Sequence, residues 1–201
     1  MTVVDDPIEL LARALAQTAG LIDGTGVELA GHSTPCRSWD VGDLISHLLF
    51  DLRQFTVRAQ GGQPDWSQPF ERVEEDWLHA FEAGAERLVE AWREAGDLTG
   101  TLEVPGVGAL PARFPVDQQV AEFAVHAWDL ARATSQSADG LDHEVAAAAL
   151  TWARGALKPG YRGEESDHHA VGPEVPAPAD APPYDRLAAF FGRDPWAGSA
   201  S

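Results

Sequence analysis

The segment VAEFAVHAWDLA, residues 120–131, sets Glu122, His126 and Asp129 into an otherwise apolar run. On a helix advancing 100° per residue, with Glu122 at zero, His126 falls at about +40° and Asp129 at about −20°, so the three share one stripe bordering the apolar face. A second histidine, His47, stands three residues after Leu44 and just before Leu48 and Leu49, at the edge of another apolar stripe. Burying such groups is costly unless something satisfies them. Two imidazoles and one carboxylate, from His47, His126 and Glu122, can hold a divalent metal with coordination positions left open. An ion of that kind can stabilise a bound thiol as its thiolate or lower the pKa of a bound water toward about 7.

Taken singly, each signal has an ordinary explanation. A lone histidine on an apolar face is usually a hydrogen-bonded core residue, and an i,i+4 Glu–His pair is usually a local surface contact. Asp129 is the catalytic candidate: it can orient His126 or accept a proton, the alternative being a cap or a salt bridge to Arg132. Cys36, the single cysteine, lies in TPC without a local base and reads as packing at the entry to a helix. His168 and His169 fall in a loop, SDHHAVGP, that could fold over a cleft and add a ligand or an acid, although adjacent loop histidines are more often solvated. Trp128 points away from the polar stripe and reads as packing. His32, His79 and His143 join no constellation.

The elements that must position these residues are helical. Ile8, Leu11, Leu15 and Ile22 mark a first helix over about 6–23, with Pro7 in its first turn and Gly24 as its stop. Asp40 is the expected N-cap of a second helix over about 40–60, carrying His47. A third is expected over about 70–95, a fourth over 116–135 with the polar stripe, and a fifth over 141–157. Residues 99–115 break the pattern with an alternating TLEV around Pro105-Gly106, which reads as a short hairpin or an extended crossover. The expected organisation is an all-α bundle over 1–157, followed by a proline-rich strap and a short amphipathic helix over 158–201 that packs back on it. Trp128 is expected against that strap or the fifth helix.

Fourteen basic residues against 32 acidic ones give a net charge of −18, which argues against nucleic acid or anionic lipid as partner. No apolar run approaches the roughly 20 residues of a membrane span. One cysteine and an N-terminus lacking a basic region before its apolar run lead to the expectation of a soluble, cytoplasmic protein, monomer or homodimer.

Three segments carry a family likeness: STPCRSWDVGDLISHLL (33–49), VAEFAVHAWDLARATSQ (120–136) and GPEVPAPADAPPYDRLAAFFGRDPW (172–196). In them the chain resembles the DinB-like, mycothiol-dependent maleylpyruvate isomerase N-terminal domain family, in its compact actinobacterial metal-binding branch. The resemblance implies a DinB-like four-helix bundle with an extra helix. It also implies that His47, Glu122 and His126 bind a divalent metal, usually zinc, although the ligand types suit nickel, iron or manganese as well. The full-length isomerase has a further C-terminal domain, whereas here only the strap and short helix follow residue 157, so the expectation is the general chemistry rather than that isomerisation. The expected function is a metal-dependent thiol S-transferase, in which mycothiol or a similar thiol attacks an electrophilic small molecule. The alternatives are a hydrolase using metal-bound water and a non-catalytic metal- or small-molecule-binding protein.

Overall fold

A computed structural model describes residues 6–104, 108–163, 169 and 171–197. Its helices are α1 (Pro7–Asp23), α2 (Val41–Ala59), α3 (Trp77–Ala95), α4 (Phe114–Ala133), α5 (His143–Ala156) and α6 (Pro183–Phe190). Between α3 and α4 a two-stranded antiparallel hairpin pairs β1 (Thr101–Val104) with β2 (Gly108–Pro111), Thr101 opposite Pro111. The chain is thus mostly α-helical, a DinB-like bundle with one small ribbon. No helix among the described residues is long and apolar enough to cross a membrane.

The main contacts of α1 are with α3 and α4, and those of α2 are also with α3 and α4. The four long helices therefore stand in the ring order α1, α3, α2, α4, and both the α1–α2 and the α3–α4 connections run diagonally. α5 and α6 pack on α4 from outside, which leaves α4 surrounded by α1, α2, α5 and α6. Val116, Val120, Phe123, Ala124, Ala127, Trp128 and Leu130 are accordingly each at most 2% exposed. A helix apolar on nearly all sides is a central one, so its polar stripe lies inside the protein.

Local chemistry sets the helix starts. Asp40 and Asp43 form a reciprocal capping box at α2, each side chain accepting from the other's backbone N–H, and Arg72 donates to both carboxylates at 2.8 and 2.5 Å. Asp142 caps α5, accepting from the Glu144 and Val145 backbone. The third helix departs from expectation: it begins at Trp77, not near residue 70. Asp76 sits in the left-handed region with φ 58°, and the preceding segment is not helical, its backbone being held elsewhere. There the Val73 N–H donates to Ser46 Oγ at 2.9 Å, and the Val73 carbonyl accepts from Trp77 Nε1.

The strap and α6 return to the bundle. Tyr184, Leu187, Ala188 and Phe190 are buried, and Trp128 of α4 donates from Nε1 to Asp185 Oδ1 at 2.9 Å. Trp128 thus packs under the start of α6, its indole N–H satisfied, as a buried tryptophan requires. The Asp40 box begins the helix that carries His47. Asp40→Ala is expected to lower the unfolding free energy by about 1 kcal/mol, the usual value of a lost N-cap, read as a lower urea midpoint with unchanged helical circular dichroism.

Candidate metal centre

Two turns into α2, His47 faces the neighbouring α4. Its Nε2 lies 3.3 Å from Glu122 Oε1, and the same oxygen lies 3.0 Å from His126 Nε2. These three ligand atoms all fall within 4.8 Å of one another. The two imidazole rings meet edge to face with centroids 5.2 Å apart, and Trp39 covers them, its ring centroid 4.4 Å from that of His47 and 5.9 Å from that of His126. Phe70 closes the side against both Trp39 and His47, which is why the non-helical segment before α3 matters to the site. Trp39 is held by a short turn in which Thr34 Oγ1 donates to the Trp39 carbonyl and accepts from the Cys36 N–H.

The three groups form the floor of a cavity of about 350 Å3, walled by Trp39, Val125, Val171 and Phe191. Such a volume, apolar with a few convergent polar groups, suits a small molecule. His169 also lines the cavity; His168 lies outside the described residues. Cys36 is in the cavity wall too, and not merely packed at the helix entry: its Sγ contacts Arg193 Nη2 at 3.2 Å and Asp129 Oδ2 at 3.4 Å. His32, His79 and His143 are exposed.

Behind His126 the polar set continues. His126 Nδ1 is 2.9 Å from Asp129 Oδ2, and Asp129 is fully buried. The salt bridge to Arg132 is not formed; Arg132 lies over the Trp128 ring and reaches the Pro195 carbonyl. Asp129 is instead gripped by Arg193, whose Nε and Nη2 donate to its two oxygens at 3.1 and 2.7 Å. Arg193 is missing from the sequence reading, because 64 residues separate the pair. Asp51 is missing as well. It lies one turn after His47 on α2, is 3% exposed, and brings Oδ2 within 3.2 Å of His47 Nε2. A charge between Leu48 and Leu52 on an apolar stripe was the signal that could have found it.

The electrostatics follow from burial against partners. Burial pushes the Glu122 carboxyl upward, but hydrogen bonds from His126 and His47 outweigh this and hold it well below the ordinary range. Asp129 behaves alike: burial is overcome by the Arg193 charge and the His126 contact, and the carboxyl stays ionised. Burial drives Asp51 the other way, well above the usual aspartate value, and the Glu122 charge adds to the effect. Burial also lowers His47, which is neutral at pH 7 with a lone pair to offer. For His126 burial opposes the charge, yet contacts with Asp129, Cys36 and Glu122 prevail and raise it well above 6.5.

The donor set fits a divalent metal. Two imidazole nitrogens and a carboxylate oxygen converge on one point, and the carboxylate behind His126 fixes its ring, an arrangement typical of histidine ligands. Because contacts with Asp129, Cys36 and Glu122 raise the His126 pKa in the metal-free protein, protonated His126 must give up a proton when Nε2 becomes a ligand. Metal affinity is therefore expected to rise with pH, by about tenfold per unit where one proton is released, and to level off above the His126 pKa. Competition with a chromophoric chelator between pH 6 and 8 measures this; a flat profile would show that His126 does not bind metal.

Comparison with known proteins adds to the geometry. Residues 11–131 match the family described as mycothiol maleylpyruvate isomerase N-terminal domain. Two uncharacterized proteins of Mycobacterium tuberculosis, from the CDC 1551 / Oshkosh and ATCC 25618 / H37Rv strains, are each 32% identical over 188 residues, covering 94% of this chain and 98% of theirs. No solved structure matches the chain.

Proposed function

The chain belongs to the mycothiol maleylpyruvate isomerase N-terminal domain family, and on that basis we propose that it is a metal-dependent thiol S-transferase using mycothiol or a similar small thiol. The observation that carries this reading is the convergence of His47 Nε2, Glu122 Oε1 and His126 Nε2 on the floor of a cavity large enough for a small molecule. A divalent metal held there, zinc being the first choice, would supply a Lewis acid that favours thiolate over thiol.

The protein's own residues do the rest. His47, neutral through burial, and Glu122, ionised through its imidazole contacts, keep their ligand atoms available. Asp129 is a positioning group rather than a catalytic one: it holds His126 from behind and does not line the cavity. Trp39, Val125, Val171 and Phe191 present apolar surface to an electrophile and limit water around the sulfur. In the transfer the thiol S–H bond breaks and a sulfur–carbon bond forms, either as a π bond of the electrophile opens and its electron pair takes up the proton in the product, or as a carbon–leaving-group bond breaks and the group departs with the electron pair while the proton passes to solvent. A reducing cytoplasm is the setting in which such a thiol is abundant.

The test begins with metal content by plasma mass spectrometry on untagged protein. Wild type is expected to carry near-stoichiometric metal, and His47→Ala and Glu122→Ala to lose it while retaining helical circular dichroism. Thiol-dependent consumption of a chromogenic electrophile should then be abolished in His47→Ala. Equal turnover without thiol would transfer the site to hydrolysis by bound water, and tight ligand binding without turnover would make it a binding protein.

A further inference from the structure

We propose that Arg193, delivered by the C-terminal turn, is a positioning residue of the metal centre: it clamps Asp129, which in turn holds His126 with Nε2 aimed at the metal. This rests on the metal-site reading above and extends it to a residue 64 positions from Asp129 in the chain.

The clamp is built from local backbone chemistry. At the end of α6 the Gly192 N–H donates to the Ala189 carbonyl and the Arg193 N–H to the Ala188 carbonyl, both at 3.0 Å. With Phe191 as C-cap, this is the paired closure of a Schellman turn, whose residue after the cap takes positive φ. Gly192 has φ 90°, and a Cβ there would come within 2.7 Å of Gly172 Cα in the strap. Glycine is therefore required twice over, by conformation and by the close crossing of two backbones. The turn aims Arg193 inward, where its side chain is 11% exposed and that of Asp129 is 0% exposed.

The geometry is that of a forked guanidinium on a carboxylate, the strongest orienting contact a side chain can make with an aspartate. Nε takes one oxygen and Nη2 the other, while Nη1 donates to the Phe191 carbonyl and Nη2 also meets Cys36 Sγ. One guanidinium thus fastens the tail, α4 and the loop before α2. Asp129 Oδ2, shared between Arg193 and His126 Nδ1, cannot swing without breaking the fork. Lysine at 193 would keep the charge but could not span both oxygens.

The experiment uses the full chain and zinc alone as probe. It compares wild type, Arg193→Ala, Arg193→Lys and Asp129→Asn by zinc affinity, by melting temperature of the metal-free form, and by the His126 ring 15N shifts at fixed pH. Arg193→Ala is expected to weaken zinc by about 10 to 100-fold, the usual loss for an outer partner of a ligand. Arg193→Lys should recover only part of it, and both should move the His126 shifts as Asp129→Asn does. Combining Arg193→Ala with Asp129→Asn should cost little more than either alone, since they break one linkage. A lower melting temperature with wild-type zinc affinity and unmoved His126 shifts would overturn the proposal and leave Arg193 as a tail anchor. If Arg193→Ala does not fold, Arg193→Lys carries the same readouts. If wild type binds no zinc, the transferase reading falls, and the clamp is decided separately by whether the metal-free His126 shifts move in Arg193→Lys.

Discussion

Asp129 has none of its surface exposed and is nonetheless ionised. A carboxylate in that condition has to be surrounded by donors or it would neutralise or drive the structure apart. The protein surrounds it with groups from three places: His126 one turn earlier on α4, Arg193 from the C-terminal tail, and the Cys36 thiol from the loop before α2. The return of the strap is therefore not only apolar packing of Leu187 and Phe190. The tail closes on the bundle at the point where an internal charge demands a cation, and it leaves His126 facing the cavity with its far nitrogen.

The polar interior is arranged in two depths. Nearest the cavity are His47, Glu122 and His126, with Glu122 Oε1 bridging the two imidazoles. Behind them stand Asp129 on one side, held by an Arg193 that itself lines the cavity, and Asp51 on the other, against His47. The two aspartates have opposite fates because only one has a guanidinium: burial raises the carboxyl of Asp51 and is overruled at Asp129. Trp39 covers the pocket with Phe70 packed against it, and this cover draws on a non-helical segment whose backbone is tied to Ser46 of α2. The site is thus made of two facing helices, two loops and the tail, and it depends on all of them being docked.

Much of this fold was legible in the sequence because helices announce themselves through period and punctuation. Pro7 and Asp40 mark starts that the structure repeats to within a residue, the TLEV alternation is a strand of a real hairpin, and the apolar face of residues 184–191 is buried as expected. The start of α3 was not legible. Val73 and Trp77 have helical spacing, but the Val73 N–H is engaged by Ser46 and Asp76 is left-handed, so tertiary bonding overrode local period.

For the site, the sequence by itself determined the residue types and their stripe. Glu122, His126 and Asp129 must share a face because a helix advances by a fixed angle, and His47 must border the apolar side of its own helix. Which helices become neighbours was decided only by the tertiary structure. The diagonal connections place α2 beside α4, and without that ring order His47 and Glu122, 75 residues apart, would never meet. The partner of Asp129 was decided there too. Arg132 and Arg193 are equal candidates by charge, and Arg193 prevails because the Gly192 turn aims it inward while Arg132 lies over Trp128. Periodicity is a property of one helix, whereas convergence of groups distant in sequence depends on how helices pack, which no local pattern contains.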